Sequence, residues 1–135
     1  MDTIMEQREP YWGELHTHTA LSDGNGSAQD NFEIARSHLD FWAMADHAFD
    51  ERVFSLDYRT FSPERALLNE RWDEIQDVCR SHENPGAFIP FLAYEWTNFQ
   101  YGHHNVYYLD YDEPIRMPAT LPALYESLRG VEAFV

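Results

Sequence analysis

The segment ELHTHTALSDG, residues 14–24, decides how this chain is interpreted, because it joins a strand-like run to a turn and contains two closely spaced histidines. His16 and His18 are two residues apart, and side chains at that spacing on a strand lie on the same face. Two imidazoles on one face form a ready pair of metal ligands. Candidate partners occur farther along the chain, at His47, Glu95 and His103-His104. The pattern raises the hypothesis of metal-dependent hydrolysis.

Length and composition limit the chain to one domain or part of one. Its 135 residues, 44% hydrophobic and 16% aromatic, can bury one modest core but not two. Residues 1–10 are polar and charged and are expected to form a flexible N-terminal segment. The domain then extends over residues 11–135.

Charge and cysteine content exclude several classes of protein. The formal net charge of −15 argues against a nucleic-acid clamp, since such clamps neutralise phosphates with Lys and Arg. The single Cys79 cannot form an internal disulfide. No apolar run approaches the ~20 residues of a membrane helix, and residues 1–10 lack the apolar stretch of a secretory signal. We therefore expect a soluble, cytoplasmic protein.

Strand-like and helix-like segments alternate along the chain. Ser27 is a candidate N-cap for the first helix, and Ser62-Pro63 a candidate start for the second. Leu68, Trp72, Ile75 and Cys79 follow at helical spacing, so Cys79 is interpreted as a core residue. The predicted strands are 11–18, 39–46, 87–94, 105–109 and 131–135, and the predicted helices are 27–38, 62–84 and 121–129.

This order predicts an α/β fold of parallel strands with right-handed crossovers. An open sheet and a barrel both fit the order. The position of the candidate ligands favours a barrel-like site, because βα enzymes carry their chemistry at the C-terminal ends of strands. The residues predicted at or beyond such ends are His16, His18, His47 and Glu95.

Four segments of the chain, in this order, resemble the polymerase and histidinol phosphatase (PHP) family, and most closely its largely uncharacterised bacterial branch. They are His16-Thr17-His18-Thr19 with Ser22-Asp23-Gly24, Ala45-Asp46-His47, Tyr94-Glu95-Trp96-Thr97, and Gly102-His103-His104-Asn105-Val106. The resemblance covers nearly the whole chain from Tyr11. It implies the N-terminal half of a distorted (β/α)7 barrel that binds up to three metal ions and hydrolyses phosphoesters.

The resemblance also implies a role for each matched residue. His16 and His18 correspond to the first metal pair, Glu95 to a bridging carboxylate and His103 to the ligand of a second ion. Asp23 and His47 correspond to segments that hold a third ion, and Asp46 to a residue that orients a ligand rather than binding metal. Which of His103 and His104 is the ligand stays open, with His103 the better match. The predicted metal ligands are His16, His18, Asp23, His47, Glu95 and His103, and the predicted catalytic residues are Glu95 and His47.

The chemistry expected of this residue mix is phosphoester hydrolysis by a metal-activated water. Imidazole and carboxylate ligands suit Zn, Mn or Fe, with two or three ions in the complete domain. The expected substrate is a small phosphorylated molecule. Arg52, Arg59 and Arg65 are candidates to receive its phosphate, although surface charges of this kind are common. No Ser nucleophile elbow or phosphate-binding loop is evident.

The chain departs from the family pattern at its C-terminal end. The pattern continues with another His-containing strand and an Asp-x-His segment, whereas this chain stops at Val135. We therefore expect a truncated domain with an incomplete metal site, and a non-catalytic metal-binding module or an inactive fragment is the alternative function. A plain structural domain is a third possibility. An open half-barrel would also present a strand edge through which the chain self-associates.

Overall fold

The computed structural model of the chain describes residues 9–48 and 69–135. The strands are β1 (Gly13–Thr17), β2 (Phe41–Met44), β3 (His47–Ala48), β4 (Ile89–Asn98), β5 (Gly102–Tyr108) and β6 (Ala133–Phe134). The helices are α1 (Ala28–Arg36), α2 (Trp72–His82) and α3 (Leu121–Ser127), with a 3₁₀ turn at Asn69–Arg71 before α2. None of the helices in these two ranges is long and apolar enough to cross a membrane.

Several sequence predictions lie outside the described residues. They are most of the flexible N-terminal segment, the first part of the helix predicted from Ser62, and the candidate phosphate-binding residues Arg52, Arg59 and Arg65. The later part of that helix is confirmed as α2. Its Trp72, Ile75 and Cys79 are buried, and burial raises the pKa of the Cys79 thiol to about 12. A thiol held protonated inside the core is a packing group rather than a nucleophile.

The sheet is mixed, so the predicted N-terminal half of a parallel (β/α)7 barrel is wrong. Its strand order is β1-β2-β4-β5-β6, and β3 pairs with β4 beside β2. The pairs β1/β2, β2/β4 and β3/β4 are parallel, whereas β4/β5 and β5/β6 are antiparallel. Parallel pairing is therefore confined to the first part of the sheet.

The reversal after β4 has a simple physical cause. Only residues 99–101 separate β4 from β5, and a parallel crossover needs a dozen or more residues. The Asn98 carboxamide oxygen accepts the backbone N–H groups of Gln100 and Tyr101, and Gly102 takes a φ of +83° that suits glycine. The prediction missed this hairpin because it started this strand at Asn105, whereas β5 begins at Gly102.

Other element boundaries differ in detail from the prediction. Ser27 caps α1 as expected, since its hydroxyl accepts the backbone N–H of Asp30. The strand predicted to end at Tyr94 continues to Asn98, because β3 and β5 both pair with this extension. Glu95 consequently lies within β4 rather than at its end.

The main core lies between the helices and one face of the sheet. Trp42 and Met44 of β2 point into it, and the ring of Phe32 from α1 packs edge-on against Trp42 at 4.6 Å between centroids. The alternating residues Ala43 and Ala93 belong to a smaller cluster on the opposite face. Because Glu95 is two residues beyond Ala93 in β4, the candidate ligands lie on this second face.

Side-chain donors anchor the irregular segment 110–120 that leads from β5 to α3. Buried aromatic residues of β4 and β5 donate to its carbonyl oxygens, at 2.8–3.0 Å. Trp72 and Gln76 of α2 also donate to it, both to the Glu113 carbonyl, at 2.8 and 3.2 Å. The pairs with β4 and β5 are Tyr94 with Arg116, Trp96 with Pro118, and Tyr108 with Pro114.

Candidate metal centre

The six predicted metal ligands come together on one face of the sheet. His16 lies in β1, His18 directly after it, and Asp23 in the loop that follows. His47 opens β3 and is the register partner of Glu95 in β4. His103 pairs with Thr97, two residues beyond Glu95, so it shares the face of that glutamate. The antiparallel hairpin therefore brings His103 to Glu95 without a crossover.

The first group of ligand atoms contains His16, His18 and Glu95. The two Nε2 atoms are 3.1 Å apart, and they lie 3.8 and 3.3 Å, respectively, from Glu95 Oε2. Ligands about 2.1 Å from a tetrahedral ion are separated from one another by about 3.4 Å. The three distances bracket this value, so the atoms are spaced as ligands of one ion.

The second group contains His18, Asp23 and His47. Asp23 Oδ1 is 2.5 Å from His18 Nδ1, and Asp23 Oδ2 is 3.6 Å from His47 Nε2. A His18 that binds metal through Nε2 in the first group carries its proton on Nδ1 and donates it to Asp23. Such carboxylate–imidazole contacts orient a metal ligand and raise its basicity.

The third group contains His47, Glu95 and His103. His47 Nδ1 approaches Glu95 Oε2 to 2.8 Å, and His103 Nδ1 approaches Glu95 Oε1 to 3.1 Å. The three groups overlap, because each of His18, His47 and Glu95 belongs to two of them. Glu95 is thus the carboxylate that the first and third groups share.

One oxygen of Glu95 is buried without a hydrogen-bond partner in the described ranges. The Glu95 side chain is 6% exposed, and its Oε2 receives no aligned N–H despite the 2.8 Å approach of His47 Nδ1. A buried carboxylate oxygen that lacks a donor is costly unless a cation compensates it. The surrounding imidazole nitrogens supply the remaining donors for such an ion, and this mixture of N and O ligands suits Zn, Mn or Fe.

Mutual charge interactions favour the ionised forms of Glu95, His47 and Asp23. Burial alone raises the pKa of Glu95, but His47, His103 and His18 outweigh it and lower that pKa. Burial lowers the pKa of His47, but Glu95, Asp23 and Asp46 reverse this and raise it. The pKa of Asp23 is lowered because His18 and His47 together outweigh its partial burial. The lowered pKa values of Glu95 and Asp23 therefore keep two carboxylates charged beside the imidazoles of the site.

Asp46 lies beneath the site and does not belong to any of the three groups. It is fully buried and accepts hydrogen bonds from the Thr19 backbone N–H, the Thr19 hydroxyl and the Ser22 hydroxyl. These bonds fix the loop that carries His18 and Asp23. Asp46 thus acts on the ligands by holding their backbone.

The two adjacent histidines of β5 point to opposite faces. His103 lies beside Glu95, whereas His104 faces Trp96 at 5.9 Å between centroids and donates Nε2–H to the Tyr101 carbonyl. Of the two residues that the sequence left open, the structure places His103 among the candidate ligands.

Three neighbours of the site were not among the residues predicted to form it. Thr97 Oγ1 is 2.7 Å from His47 Nδ1. Asn105 is the register partner of Glu95, and its buried Oδ1 has no partner among the described residues. The Tyr107 hydroxyl donates to the Leu15 carbonyl and ties β5 to β1. Strand alternation from Glu95 and His103 would have placed all three on the ligand face, had the hairpin been recognised.

Comparison with known proteins gives one family match. A family model described as "Protein of unknown function (DUF3604)" matches residues 35–125, more than half of the chain. The match includes His47, Glu95 and His103. No curated protein matches the chain. The chain therefore belongs to the DUF3604 family, whose description states no function.

Proposed function

We propose that this protein is a metal-dependent hydrolase, a phosphoesterase of the PHP type that acts on a small phosphorylated substrate. The observation that carries the proposal is the buried Oε2 of Glu95, which lacks a hydrogen bond within the described residues and lies within 3.8 Å of nitrogens from His16, His18 and His47. The ligand set of six residues is the one that the resemblance implies. Zn, Mn and Fe fit these donors, and we propose that two or three ions bind.

Bound divalent ions would supply Lewis acidity, which lowers the pKa of water and neutralises charge on a phosphoester. The chain contributes the geometry. Glu95 places a charged carboxylate at the centre of the site, between the imidazoles of His18, His47 and His103. Asp23 holds the ring of His18 through a 2.5 Å contact, so that the other ring nitrogen stays directed at Glu95.

The exposure of the site suits a reaction with an external substrate. The side chains of His16, Asp23 and His103 are 51%, 47% and 41% exposed, whereas Glu95 is 6% exposed at the base. Structural zinc sites are closed by four protein ligands, while catalytic sites keep a position open. Each group among the described residues supplies three ligand residues and opens towards solvent.

A generic phosphomonoester and phosphodiester assay with added Mn²⁺ or Zn²⁺ tests the proposal. We expect metal-dependent turnover by the wild type and a loss of at least about 100-fold in His16→Ala, since a first ligand is removed. His38→Ala is the matched control, because His38 is an exposed histidine at the end of α1. Equal slow hydrolysis by wild type and His16→Ala would contradict catalysis at this site.

A non-catalytic metal-binding role is the second candidate, and the placement of the arginine side chains favours it. The described arginines pair with carboxylates outside the ligand groups: Arg36 with Glu33, Arg71 with Glu74, Arg80 with Asp77 and Asp112, Arg116 with Glu113, and Arg129 with Glu126. Within the described ranges, the ion pairs of the candidate metal ligands include no arginine that could receive a substrate phosphate. Metal binding that depends on His16, without hydrolysis in either assay, would support this role.

A further inference from the structure

We infer that Thr97 is a positioning residue that fixes His47 in its Nδ1–H tautomer and so leaves Nε2 as the nitrogen that binds metal. The inference rests on the proposed metal site, and it assigns a role to a residue that the ligand pattern leaves unused. Thr97 is buried in β4, two residues beyond Glu95 on the same face.

The hydrogen bonds of the Thr97 hydroxyl determine its relation to His47. The hydroxyl has one proton and donates it to the Glu95 carbonyl oxygen at 3.1 Å. Its oxygen then acts as an acceptor for the second neighbour, His47 Nδ1, at 2.7 Å. If the Thr97 oxygen accepts a hydrogen bond in this contact, the atom that donates it is His47 Nδ1, which therefore carries the proton.

The Glu95 carboxylate favours the same tautomer independently. Its Oε2 lies 2.8 Å from His47 Nδ1. A nitrogen lone pair at that distance from a charged carboxylate oxygen is repelled, whereas an N–H dipole is attracted even when it is not aligned as a hydrogen bond. Both neighbours of Nδ1 therefore oppose a lone pair there.

The tautomer decides which group His47 can serve. In the Nδ1–H form the lone pair is on Nε2, which faces Asp23 Oδ2 at 3.6 Å. His47 would then bind an ion together with Asp23, and its protonated Nδ1 would not act as a ligand beside His103. Glu95 Oε1 and His103 Nδ1, which are 3.1 Å apart, would be left to bind a different ion.

Two-bond ¹H–¹⁵N correlation spectra of the metal-free protein test the tautomer directly. At about pH 9, where imidazoles are neutral, we expect His47 in the Nδ1–H form in the wild type and in Thr97→Ser, which retains the hydroxyl. Thr97→Val keeps the shape but removes the hydroxyl, and we expect an increased share of Nε2–H. Thr17→Val is the matched control, because the Thr17 hydroxyl also donates to a strand carbonyl, that of Ala43. We expect it to leave the His47 tautomer unchanged.

A Zn²⁺ titration followed by the same spectra tests the consequence. We expect the His47 Nε2 resonance to move on binding, and Thr97→Val to weaken binding at His47 by about 10-fold or more while Thr97→Ser resembles the wild type. An Nε2–H tautomer in the wild type, or an unchanged tautomer in Thr97→Val, would overturn the inference. If no Zn²⁺ binds but the tautomer responds to Thr97→Val as expected, the proposed function fails while the hydrogen-bond role of Thr97 stands.

Discussion

Glu95 occupies the position at which imidazoles from β1, β3 and β5 approach one carboxylate. Its two oxygens lie within 3.1 Å of nitrogens from His103 and His47, and these neighbours lower its pKa although its burial would raise it. A charged carboxylate at the base of a half-open site is costly in an apolar setting and useful as a cation ligand. The residue chemistry therefore agrees with metal binding better than with a plain structural core.

The pKa shifts at the site predict an optimum in the stability of the metal-free protein. Glu95 and Asp23 have lowered pKa values, so their contribution is present above the ordinary carboxyl values and is lost as pH falls through the lowered ones. His47 has a raised pKa, so its contribution is present below its ordinary value of about 6.5 and is lost as pH rises through the raised one. We expect the free energy of unfolding in chelator to be highest between about pH 5 and pH 6.5.

Urea denaturation across pH measures this profile, and His47→Gln is expected to flatten its alkaline side. Metal affinity should show the opposite trend and weaken below about pH 6 as the imidazoles protonate. A metal affinity independent of pH would argue against histidine ligation.

Asp46 is predicted to be a main determinant of loop stability beside the site. Asp46→Ala leaves three buried donors of Thr19 and Ser22 without their acceptor, and we expect the free energy of unfolding to fall by at least about 3 kcal/mol. Asp77→Ala is the control, because Asp77 is an exposed member of a surface pair with Arg80. Equal stabilities of the two variants in urea denaturation would contradict the role of Asp46.

At the scale of elements, the β4–β5 hairpin is the feature that builds the site. It places His103 beside Glu95 and directs His104 to the opposite face. Segment 110–120 then connects β5 to α3, and it is held by side-chain donors rather than by a helix or strand of its own. Hydrogen bonds from aromatic side chains thus fix the backbone of this segment, as strand pairing fixes the backbone in the sheet.

The Tyr94 hydroxyl provides a test of this anchoring. It donates to the Arg116 carbonyl at 2.8 Å and accepts the Arg116 N–H at 3.2 Å. Tyr94→Phe removes both bonds, and we expect a loss of about 1–3 kcal/mol in the free energy of unfolding together with faster amide exchange in residues 110–120. Tyr125→Phe is the control, since Tyr125 is 53% exposed. Unchanged amide exchange in Tyr94→Phe would show that the segment is held by other contacts.

At the scale of the whole molecule, β1 forms one end of the described sheet, and its edge is relevant to the predicted self-association. Glu14 Oε1 accepts the backbone N–H groups of Leu15 and His16, at 3.0 and 2.9 Å. These two N–H groups lie where the register between β1 and β2 shifts, and a charged side chain on an end strand hinders pairing with another chain. Association through β1 must displace this carboxylate.

Sedimentation of wild type and Glu14→Ala tests this edge. We expect a small dimer fraction in the wild type that rises with protein concentration, and a larger fraction in Glu14→Ala because the charged side chain no longer occupies backbone donors of this end strand. Glu132→Ala, an exposed glutamate beside β6, serves as the control. If both the wild type and Glu14→Ala sediment as monomers at every concentration, self-association through β1 is contradicted.

The sequence predicted the local elements better than it predicted the direction of the strands, and the structure brings its six candidate ligands together on one face. His16 and His18 are two residues apart on a strand, and Ser27 carries a clear capping signal, so local rules place them. The hairpin at residues 98–102 was missed because its signal is an Asn side chain bonded to its own backbone rather than an Asn-Gly pair. Asn105 gains its position beside Glu95 only from the pairing of β4 with β5, which no single segment encodes.

Zn²⁺ binding to the metal-free protein tests the central claim most directly. Isothermal titration at neutral pH should show at least one equivalent bound by the wild type and by Glu132→Gln. In Glu95→Gln binding should be lost or weakened by at least about 100-fold, because that variant removes the charged ligand that two of the groups share. No binding by the wild type, or equal binding by Glu95→Gln, would contradict a metal centre built around Glu95.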